Sequence, residues 1–166
     1  MRVAPSWTMV CAIVFSVLAL SASGAVPAAA ESLAGQASVI DGDTIEIHGQ
    51  RIRLFGIDAV ESRQRCIRGG KQWNCGKDAA FALADRIGRA TIDCRGVERD
   101  RYGRLVAVCF KGSEDLNRWM VEQGWAVAYR RYAMDYVQAE EAARAAGRGL
   151  WSGSFDMPWD WRKTAR

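Results

Sequence analysis

The chain has 166 residues, of which 49% are hydrophobic and 25% are charged, and its formal net charge at pH 7 is +4. It contains no internal repeat, no low-complexity tract and no long linker, and its length suits one compact domain with its own core. The mild positive charge is compatible with a polyanionic partner but does not identify one. The single histidine, His48, lies at a predicted turn, where we expect it to be exposed, so a mechanism of the Ser-His-Asp type lacks its base.

The first thirty residues have the pattern of a secretory signal peptide. Arg2 supplies a basic start, residues 7–20 form an apolar run, and the alanines at 28–30 form a small-residue cleavage site before Glu31. The apolar run is shorter than the roughly 20 residues that a membrane-spanning helix needs, although a retained N-terminal anchor is the alternative. We therefore expect residues 1–30 to be removed on export and residues 31–166 to form the mature domain, in the periplasm or outside the cell.

A β-hairpin is predicted directly after the sequence IDGD. Ile45, Ile47, Ile52 and Leu54 alternate with polar residues, which is the period of two that half-buried strands have. With Gly49-Gln50 as a two-residue loop, the expected cross-strand pairs are Ile47 with Ile52, Ile45 with Leu54, Glu46 with Arg53, and His48 with Arg51.

Three carboxylates flank this hairpin. Asp43 precedes the first strand, and Asp58 and Glu61 follow the second, so both ends of the hairpin would bring acids to one edge of the sheet. Because carboxylates repel one another unless a cation or an arginine joins them, the cluster suits a hard cation such as Ca²⁺. The alternative is that DGD is an ordinary polar turn and that Glu46 and Arg53 form an exposed cross-strand pair.

Later segments suit three helices and three more strands. A helix is predicted from Ala80, Leu83, Ala84 and Ile87, which share one face, and Gly88 would end it. The predicted strands cover 91–97, 105–110 and 125–129, the first two forming a second hairpin. Helical spacing at 115–123, before Gly124, and at 136–146 predicts the other two helices.

Four cysteines lie beyond the predicted cleavage site, and in an exported protein an even number favours two disulfides. If the turn of the second hairpin is centred between Arg101 and Tyr102, Cys94 lies opposite Cys109. Cys66 then pairs with Cys75 and clips the loop that follows Glu61. Zinc binding is the competing reading, but the spacings contain no C-x-x-C pair and no nearby histidine.

Three motifs occur in order: IDGDT at 40–44, RLFGIDAVE at 53–61 and DRYGR at 100–104. With these motifs the chain resembles the staphylococcal nuclease (thermonuclease) family, from about residue 37 to about residue 152. The resemblance implies an α+β fold dominated by β structure, a five-stranded OB-fold barrel with about three helices. The first helix would plug one end, and residues 125–129 would close the barrel. No element is predicted for the tail that contains Trp159 and Trp161.

The resemblance also implies a calcium-dependent phosphodiesterase. Asp43, Asp58 and the backbone carbonyl of Ala59 would hold Ca²⁺, which neutralises a phosphate oxygen and positions a water. Glu61 would act as the general base on that water. The family often has threonine and proline where this chain has Ala59 and Val60, so the loop would be less rigid, while ligation through the backbone carbonyl persists.

Further residues are assigned to the substrate by the same resemblance. Arg53 and Arg104 would grip the phosphate from two sides, since a planar guanidinium gives paired hydrogen bonds. Arg101 and Tyr102 would lie near the bound phosphate, and Tyr129 matches a substrate tyrosine with a spacing that differs by one. Cleavage at the 5′ oxygen of DNA or RNA would leave 3′-phosphate products, with single strands preferred.

Two other functions would use this sequence differently. The first is an OB-fold nucleic-acid-binding module that has lost catalysis. The presence of all five expected site residues argues against this loss: Asp43, Arg53, Asp58, Glu61 and Arg104. The second is a disulfide-stabilised envelope protein that binds another polyanion and shows no Ca²⁺-dependent hydrolysis. We expect a monomer without stable membrane association after signal cleavage.

Overall fold

The computed structural model describes Met1 and residues 31–165. The predicted signal peptide at residues 1–30 lies, apart from Met1, outside the described residues. Within the described part, none of the helices combines the length and the apolar character needed to cross a membrane.

Strands and helices follow one another along residues 31–165. The strands are β1 (Ser32–Asp41), β2 (Thr44–Ile47), β3 (Gln50–Leu54), β4 (Ile57–Ala59), β5 (Cys66–Arg68), β6 (Lys71–Trp73), β7 (Thr91–Arg99), β8 (Leu105–Lys111), β9 (Glu114–Asp115) and β10 (Ala126–Ala128). The helices are α1 (Cys75–Ile87), α2 (Leu116–Glu122), α3 (Val137–Ala145) and α4 (Pro158–Thr164), with a 3₁₀ turn at Gly149–Ser152.

Five of the strands close a barrel. β3, β2, β1, β7 and β8 are hydrogen-bonded neighbours in that order, and a parallel pairing of β3 with β8 joins the two edges. β1 reaches both of its neighbours because residues 32–36 pair with β7 and residues 37–41 pair with β2. The closed five-stranded barrel with helices packed on it confirms the predicted OB-fold.

The β2–β3 hairpin turns at His48 and Gly49, one residue earlier than predicted. Both residues have a positive φ, 50° and 77°, as two-residue loops that match the twist of a hairpin require. The predicted pairs are therefore wrong, and the observed pairs are Thr44 with Arg53, Ile45 with Ile52, Glu46 with Arg51, and Ile47 with Gln50. Because each partner shifts by two residues, every side chain keeps its predicted face. The shift places Arg53 beside Thr44, next to Asp43.

Helix α1 packs against the turn that carries Asp43. Leu83 and Ile87 are buried as predicted, and Cys75 and Ala79 complete this face. Ala80 and Ala84, which were expected on it, are only half-buried. The face therefore advances in steps of four residues. A Cβ at Gly42, in the β1–β2 turn, would lie 3.1 Å from the Cβ of Ala79, so only a small residue fits on each side of this contact.

Helices α2 and α3 lie within their predicted ranges. Asp115 caps α2 by accepting a hydrogen bond from the backbone N–H of Arg118 at 2.9 Å. β10 lies within the predicted strand at 125–129, but it pairs with β4 in a separate two-stranded sheet and does not close the barrel. That expectation was wrong because the pairing of β3 with β8 already closes it. The short sheet instead supports the segment that carries Asp58.

A fourth helix, α4, forms in the tail for which no element was predicted. Pro158 occupies its first turn, where the missing N–H of proline removes no helical hydrogen bond, and its side chain is buried. Trp159 stacks on Tyr129, with ring centroids 5.7 Å apart and planes inclined by 13°. The tail is therefore packed on the body of the protein.

Two disulfides join the predicted cysteine pairs. Cys94 and Cys109 are direct cross-strand partners in β7 and β8, and Cys66 and Cys75 close the segment that follows Glu61. The hairpin has a β-bulge between the disulfide and its turn. As a result, the turn is centred on Tyr102 and not between Arg101 and Tyr102, while the pairing of the cysteines is unaffected.

Replacing Cys94 and Cys109 together by serine should lower the free energy of unfolding by about 3 kcal/mol, because the bond closes a chain segment of 15 residues and restricts the unfolded ensemble. The double variant at Cys66 and Cys75, which opens a segment of 9 residues, should lose somewhat less. Equilibrium urea unfolding measures both changes. A free thiol in mass mapping of the non-reduced protein at any of the four positions would contradict the pairing.

Candidate active site

A buried ion-pair network lies where the β1–β2 turn, β3 and β4 meet. Arg53 donates from Nη1 to Oδ1 of Asp43 at 2.9 Å and from Nη2 to Oδ1 of Asp58 at 2.8 Å. The second oxygen of Asp43 accepts a hydrogen bond from the backbone N–H of Ala59 at 2.8 Å. Asp43 is 4% exposed and Asp58 is 0% exposed, so both carboxylates depend on these donors in place of water.

Burial and charge act against each other in this network. Burial is the largest effect on Asp43 and raises its pKa, and the neighbouring carboxylate of Asp41 raises it further. Arg53 and the N–H of Ala59 lower the pKa of Asp43 without restoring its ordinary value. Burial lowers the pKa of Arg53, but Asp43 and Asp58 outweigh it and leave that pKa above its usual range, so the guanidinium stays charged. The two acids therefore need a positive partner.

Glu61 lies on a tight loop that Gln64 holds in place. The N–H of Gln64 donates to the carbonyl oxygen of Glu61 at 2.7 Å. The N–H of Glu61 in turn donates to Oε1 of Gln64 at 3.3 Å. Nε2 of Gln64 donates to the carbonyl oxygen of Asp156 at 2.6 Å, and Gln64 is only 1% exposed. These hydrogen bonds join the loop of Glu61 to Gln64 and to the segment before α4.

Helix α1 begins directly against this loop. The N–H of Gly76 donates to the carbonyl oxygen of Gln64 at 3.4 Å. A Cβ at Gly76 would lie 1.8 Å from the carbonyl oxygen of Glu61, so this approach is open to glycine alone. The disulfide between Cys66 and Cys75 closes the same segment. The backbone of Glu61 is therefore held from both sides.

Arg162 of α4 contacts the same acids, although no pattern in the sequence predicted it. Its Nη2 donates to Oδ2 of Asp58 at 2.6 Å, and its Nη1 donates to Oδ1 of Asp58 at 3.1 Å and to Oε1 of Glu61 at 2.8 Å. Burial lowers the pKa of Arg162, but its hydrogen bonds to Asp58 and Glu61 outweigh burial and raise that pKa above its usual range. The side chain is 35% exposed, so it approaches from the solvent side.

Arg104 comes from the turn of the β7–β8 hairpin. Its Nε donates to Oδ2 of Asp100 at 2.7 Å, and its backbone N–H donates to Oδ1 at 3.0 Å. Burial raises the pKa of Asp100, but these hydrogen bonds and one from the N–H of Tyr102 hold it below its ordinary value. Asp100 therefore stays ionised and orients Arg104.

One groove of ≈ 910 Å³ brings these groups together. Its lining includes Asp43, Arg53, Ala59, Glu61, Arg104 and Tyr129. Arg101 and Tyr102 also line it, and Nη2 of Arg101 donates to the hydroxyl of Tyr102 at 2.6 Å. Every site residue predicted from the sequence therefore borders the groove except Asp58, which is buried behind Arg53 and Arg162.

An aromatic cluster forms one wall of the groove. Besides the stack with Trp159, Tyr129 contacts Tyr132 with ring centroids 5.1 Å apart and planes at 54°. Tyr132 is 57% exposed and Tyr102, on another part of the lining, is 68% exposed. Exposed aromatic faces beside basic groups suit the stacking of unpaired bases.

The oxygen donors of the site fit a hard divalent cation. Asp43 and Asp58 supply carboxylates. The N–H of Ala59 donates a hydrogen bond to Asp43, and the carbonyl of Ala59 lies on the same side of β4 as that N–H. Carboxylate and carbonyl oxygens are the ligands that Ca²⁺ prefers. Over residues 31–165, however, no three His, Cys, Asp or Glu side chains are grouped as a cluster of metal ligands. The two aspartates are bonded to Arg53 and Arg162.

Three contributors to the site were missed by reasoning from the sequence. Asp41, which accepts from the N–H of Asp43 at 3.0 Å, belongs to the IDGDT motif and was available from its spacing. Gln64 carries no sequence signal, because a buried glutamine in a loop looks like an exposed one. For Arg162 the available signal was the pair Trp159 and Trp161, since large aromatic residues in a polar tail indicate a segment that packs on the protein.

Comparison with known proteins gives one family model and relatives whose names are mixed. Residues 51–153 match the family model described as staphylococcal nuclease homologue. The chain is similar to the succinoglycan biosynthesis protein ExoI of Rhizobium meliloti (strain 1021), with 43% identity over 127 residues, which is 74% of this chain and 66% of that protein. It is 32% identical to a micrococcal nuclease of Shigella flexneri over 85% of this chain and 86% of that protein. An uncharacterized endonuclease of Haemophilus influenzae is 32% identical over 75% of this chain and 70% of that protein.

Substituting Gly76→Ala should lower the free energy of unfolding by about 1–3 kcal/mol, because the new methyl group would overlap the carbonyl oxygen of Glu61 and displace its loop. Urea unfolding measures the loss. The control is Lys77→Ala at the next, exposed position of α1, where we expect a change within about 0.5 kcal/mol. Equal stability of the two variants would mean that the loop of Glu61 moves to accept the methyl group without destabilising the protein.

Proposed function

Because the chain belongs to the staphylococcal nuclease homologue family, we propose that it is an exported, calcium-dependent nuclease that hydrolyses phosphodiester bonds of DNA or RNA. The relatives from Shigella flexneri and Haemophilus influenzae, named as a nuclease and an endonuclease, support a nuclease. The observation that carries the proposal is the convergence of Asp43, Arg53, Glu61 and Arg104 on one groove. They combine the positive groups and the oxygen ligands that phosphodiester cleavage needs.

The positive groups address the charge of the reaction. A phosphodiester is anionic and repels an incoming oxygen nucleophile, and further charge develops on its equatorial oxygens in the transition state. Arg53 belongs to β3 and Arg104 to the β7–β8 turn, so the two guanidinium groups would hold the phosphate from different sides. In the described part of the chain, the side-chain hydrogen bond of Arg104 uses only Nε, which leaves both Nη atoms available for phosphate oxygens.

The acids would organise the cation and the water. Asp43, Asp58 and the carbonyl of Ala59 would hold Ca²⁺, which when bound supplies charge neutralisation at a phosphate oxygen. Glu61, whose side chain is 35% exposed, would accept a proton from the attacking water or order that water. The hydrogen bonds of Gln64 to the backbone of Glu61 would keep this carboxylate at a constant distance from the phosphate.

The aromatic residues favour a single-stranded substrate. Tyr102 and Tyr129 would stack on unpaired bases, while Arg101 would contact the phosphate backbone. The assignment of the scissile bond to the 5′ oxygen, with 3′-phosphate products, rests on the family resemblance. Export rests on the leader pattern at residues 1–30, and the two disulfides are compatible with an oxidising compartment.

The substitution Asp43→Ala should abolish calcium-dependent hydrolysis, because it removes a carboxylate ligand and the partner of Arg53. Plasmid DNA and RNA would be digested with Ca²⁺, with Mg²⁺ or with EDTA. The control is Asp93→Ala, which removes an exposed carboxylate of β7 outside the groove and should retain full activity. Full activity of the unmodified protein in EDTA would refute the metal role, and nucleic-acid binding without any hydrolysis would favour the inactive binding module.

The substitution Glu61→Gln should lower kcat by about 10²-fold or more while substrate binding persists, since the amide has nearly the same shape but cannot take a proton. Single-turnover kinetics and a separate binding measurement with Ca²⁺ distinguish the two effects. An unchanged kcat would remove Glu61 from the mechanism.

A further inference from the structure

Arg162 is bonded to the two carboxylates that the proposed chemistry needs. Arg53 already takes Oδ1 of Asp58, and Arg162 takes the remaining oxygen, Oδ2, at 2.6 Å. In the described part of the chain, Arg162 is the hydrogen-bond partner of Oδ2 of Asp58 and of Oε1 of Glu61. One guanidinium therefore joins the proposed metal ligand to the proposed base.

We propose that Arg162 is an internal competitor of the divalent cation, so that the C-terminal helix α4 sets the metal affinity of the site. This inference rests on the proposed function, because it takes Asp58 as a cation ligand. Either the guanidinium of Arg162 or a divalent cation can neutralise the carboxylate of Asp58, which is 0% exposed. Both cannot occupy Oδ2 of Asp58 together, because two positive charges at that distance repel.

The helix itself need not leave for the cation to bind. Pro158 is buried, Trp159 stacks on Tyr129, and the carbonyl of Asp156 accepts a hydrogen bond from Gln64 at 2.6 Å, so the start of α4 is held at three points. The side chain of Arg162, by contrast, is 35% exposed and has solvent on one side. Rotation of this side chain alone exchanges the guanidinium for the cation.

Release of Arg162 also concerns Glu61. Its Oε1 accepts a hydrogen bond from Nη1 of Arg162 at 2.8 Å, so the guanidinium occupies the oxygen that a water would otherwise approach. The exchange would therefore uncover the cation ligand and the base in one movement. The cost is an apparent affinity lowered by the fraction of molecules in which Arg162 is turned away.

Calcium binding in the absence of substrate tests the inference. CaCl₂ is titrated into the metal-free full-length chain by isothermal titration calorimetry, for the unmodified protein and for Arg162→Ala. If Arg162 is turned away in about 1–10% of molecules, the variant should bind Ca²⁺ about ten- to a hundredfold more tightly. Asp58 keeps its contact with Arg53 in the variant, so the fold should persist, and the rise in Tm on adding Ca²⁺ gives a second measure of affinity.

Two further variants separate this role from a general effect of charge. Lys163→Ala removes the same charge from the next position of α4, where the lysine borders the groove but pairs with Asp160 of its own helix. Its Kd should change far less than that of Arg162→Ala. Arg162→Lys keeps the charge but loses the paired hydrogen bonds. Its Kd should lie between those of the unmodified protein and Arg162→Ala.

The outcomes are distinct. Equal Kd values for the unmodified protein and Arg162→Ala would overturn the competition while leaving the proposed nuclease intact. An unchanged Kd with a raised KM for nucleic acid would make Arg162 a phosphate contact instead. Lack of Ca²⁺ binding by both proteins would overturn this inference together with the calcium part of the proposed function.

Discussion

The site depends on one interaction, the contact of Arg53 with both Asp43 and Asp58. Two carboxylates that are almost fully withdrawn from water would repel each other and lose hydration, and the shared guanidinium offsets both costs. Removing one partner of such a buried network is strongly destabilising, on the order of 3–5 kcal/mol, because the remaining charges stay buried. The β1–β2 turn, β3 and β4 must therefore meet with little freedom. The barrel provides this meeting, since β3 is paired on both of its edges.

A second consequence concerns the exchange of positive charge that we propose for this end of the barrel. Arg53 and Arg162 balance the acids in the structure, while the proposed reaction brings a cation and an anionic phosphate. In the proposed mechanism Arg53 would contact the phosphate from its place in β3, beside the two acids. Arg104 does not take part in this exchange, because Asp100 holds it from its own turn. The groove thus combines Arg104, which Asp100 orients, with Arg53 and Arg162, which are bonded to the buried acids.

Much of the site was accessible from the sequence because its chemistry is concentrated in short motifs. IDGDT, RLFGIDAVE and DRYGR place most of their polar residues near the end of a strand or in a turn, and strand alternation predicted which side chains face the core. Errors arose where the backbone decided between similar choices. The loop at His48 and Gly49 depends on two positive φ angles, and β10 pairs with β4 because β3 and β8 close the barrel without it. Neither choice changes the hydrophobic pattern, so the pattern could not distinguish them.

By itself the sequence determined most strands and helices through their local period, and the two cysteine pairs through the position of a turn. The barrel and the set of acids and arginines followed from the family resemblance that the three motifs carry. Only the tertiary structure decided that α4 returns to the site and that Arg162 bonds Asp58 across a separation of 104 residues. The physical reason is that an arginine in a short polar helix has the same local pattern whether it faces water or an acid. The buried charge that selects it, on Asp58, exists only after the barrel has closed.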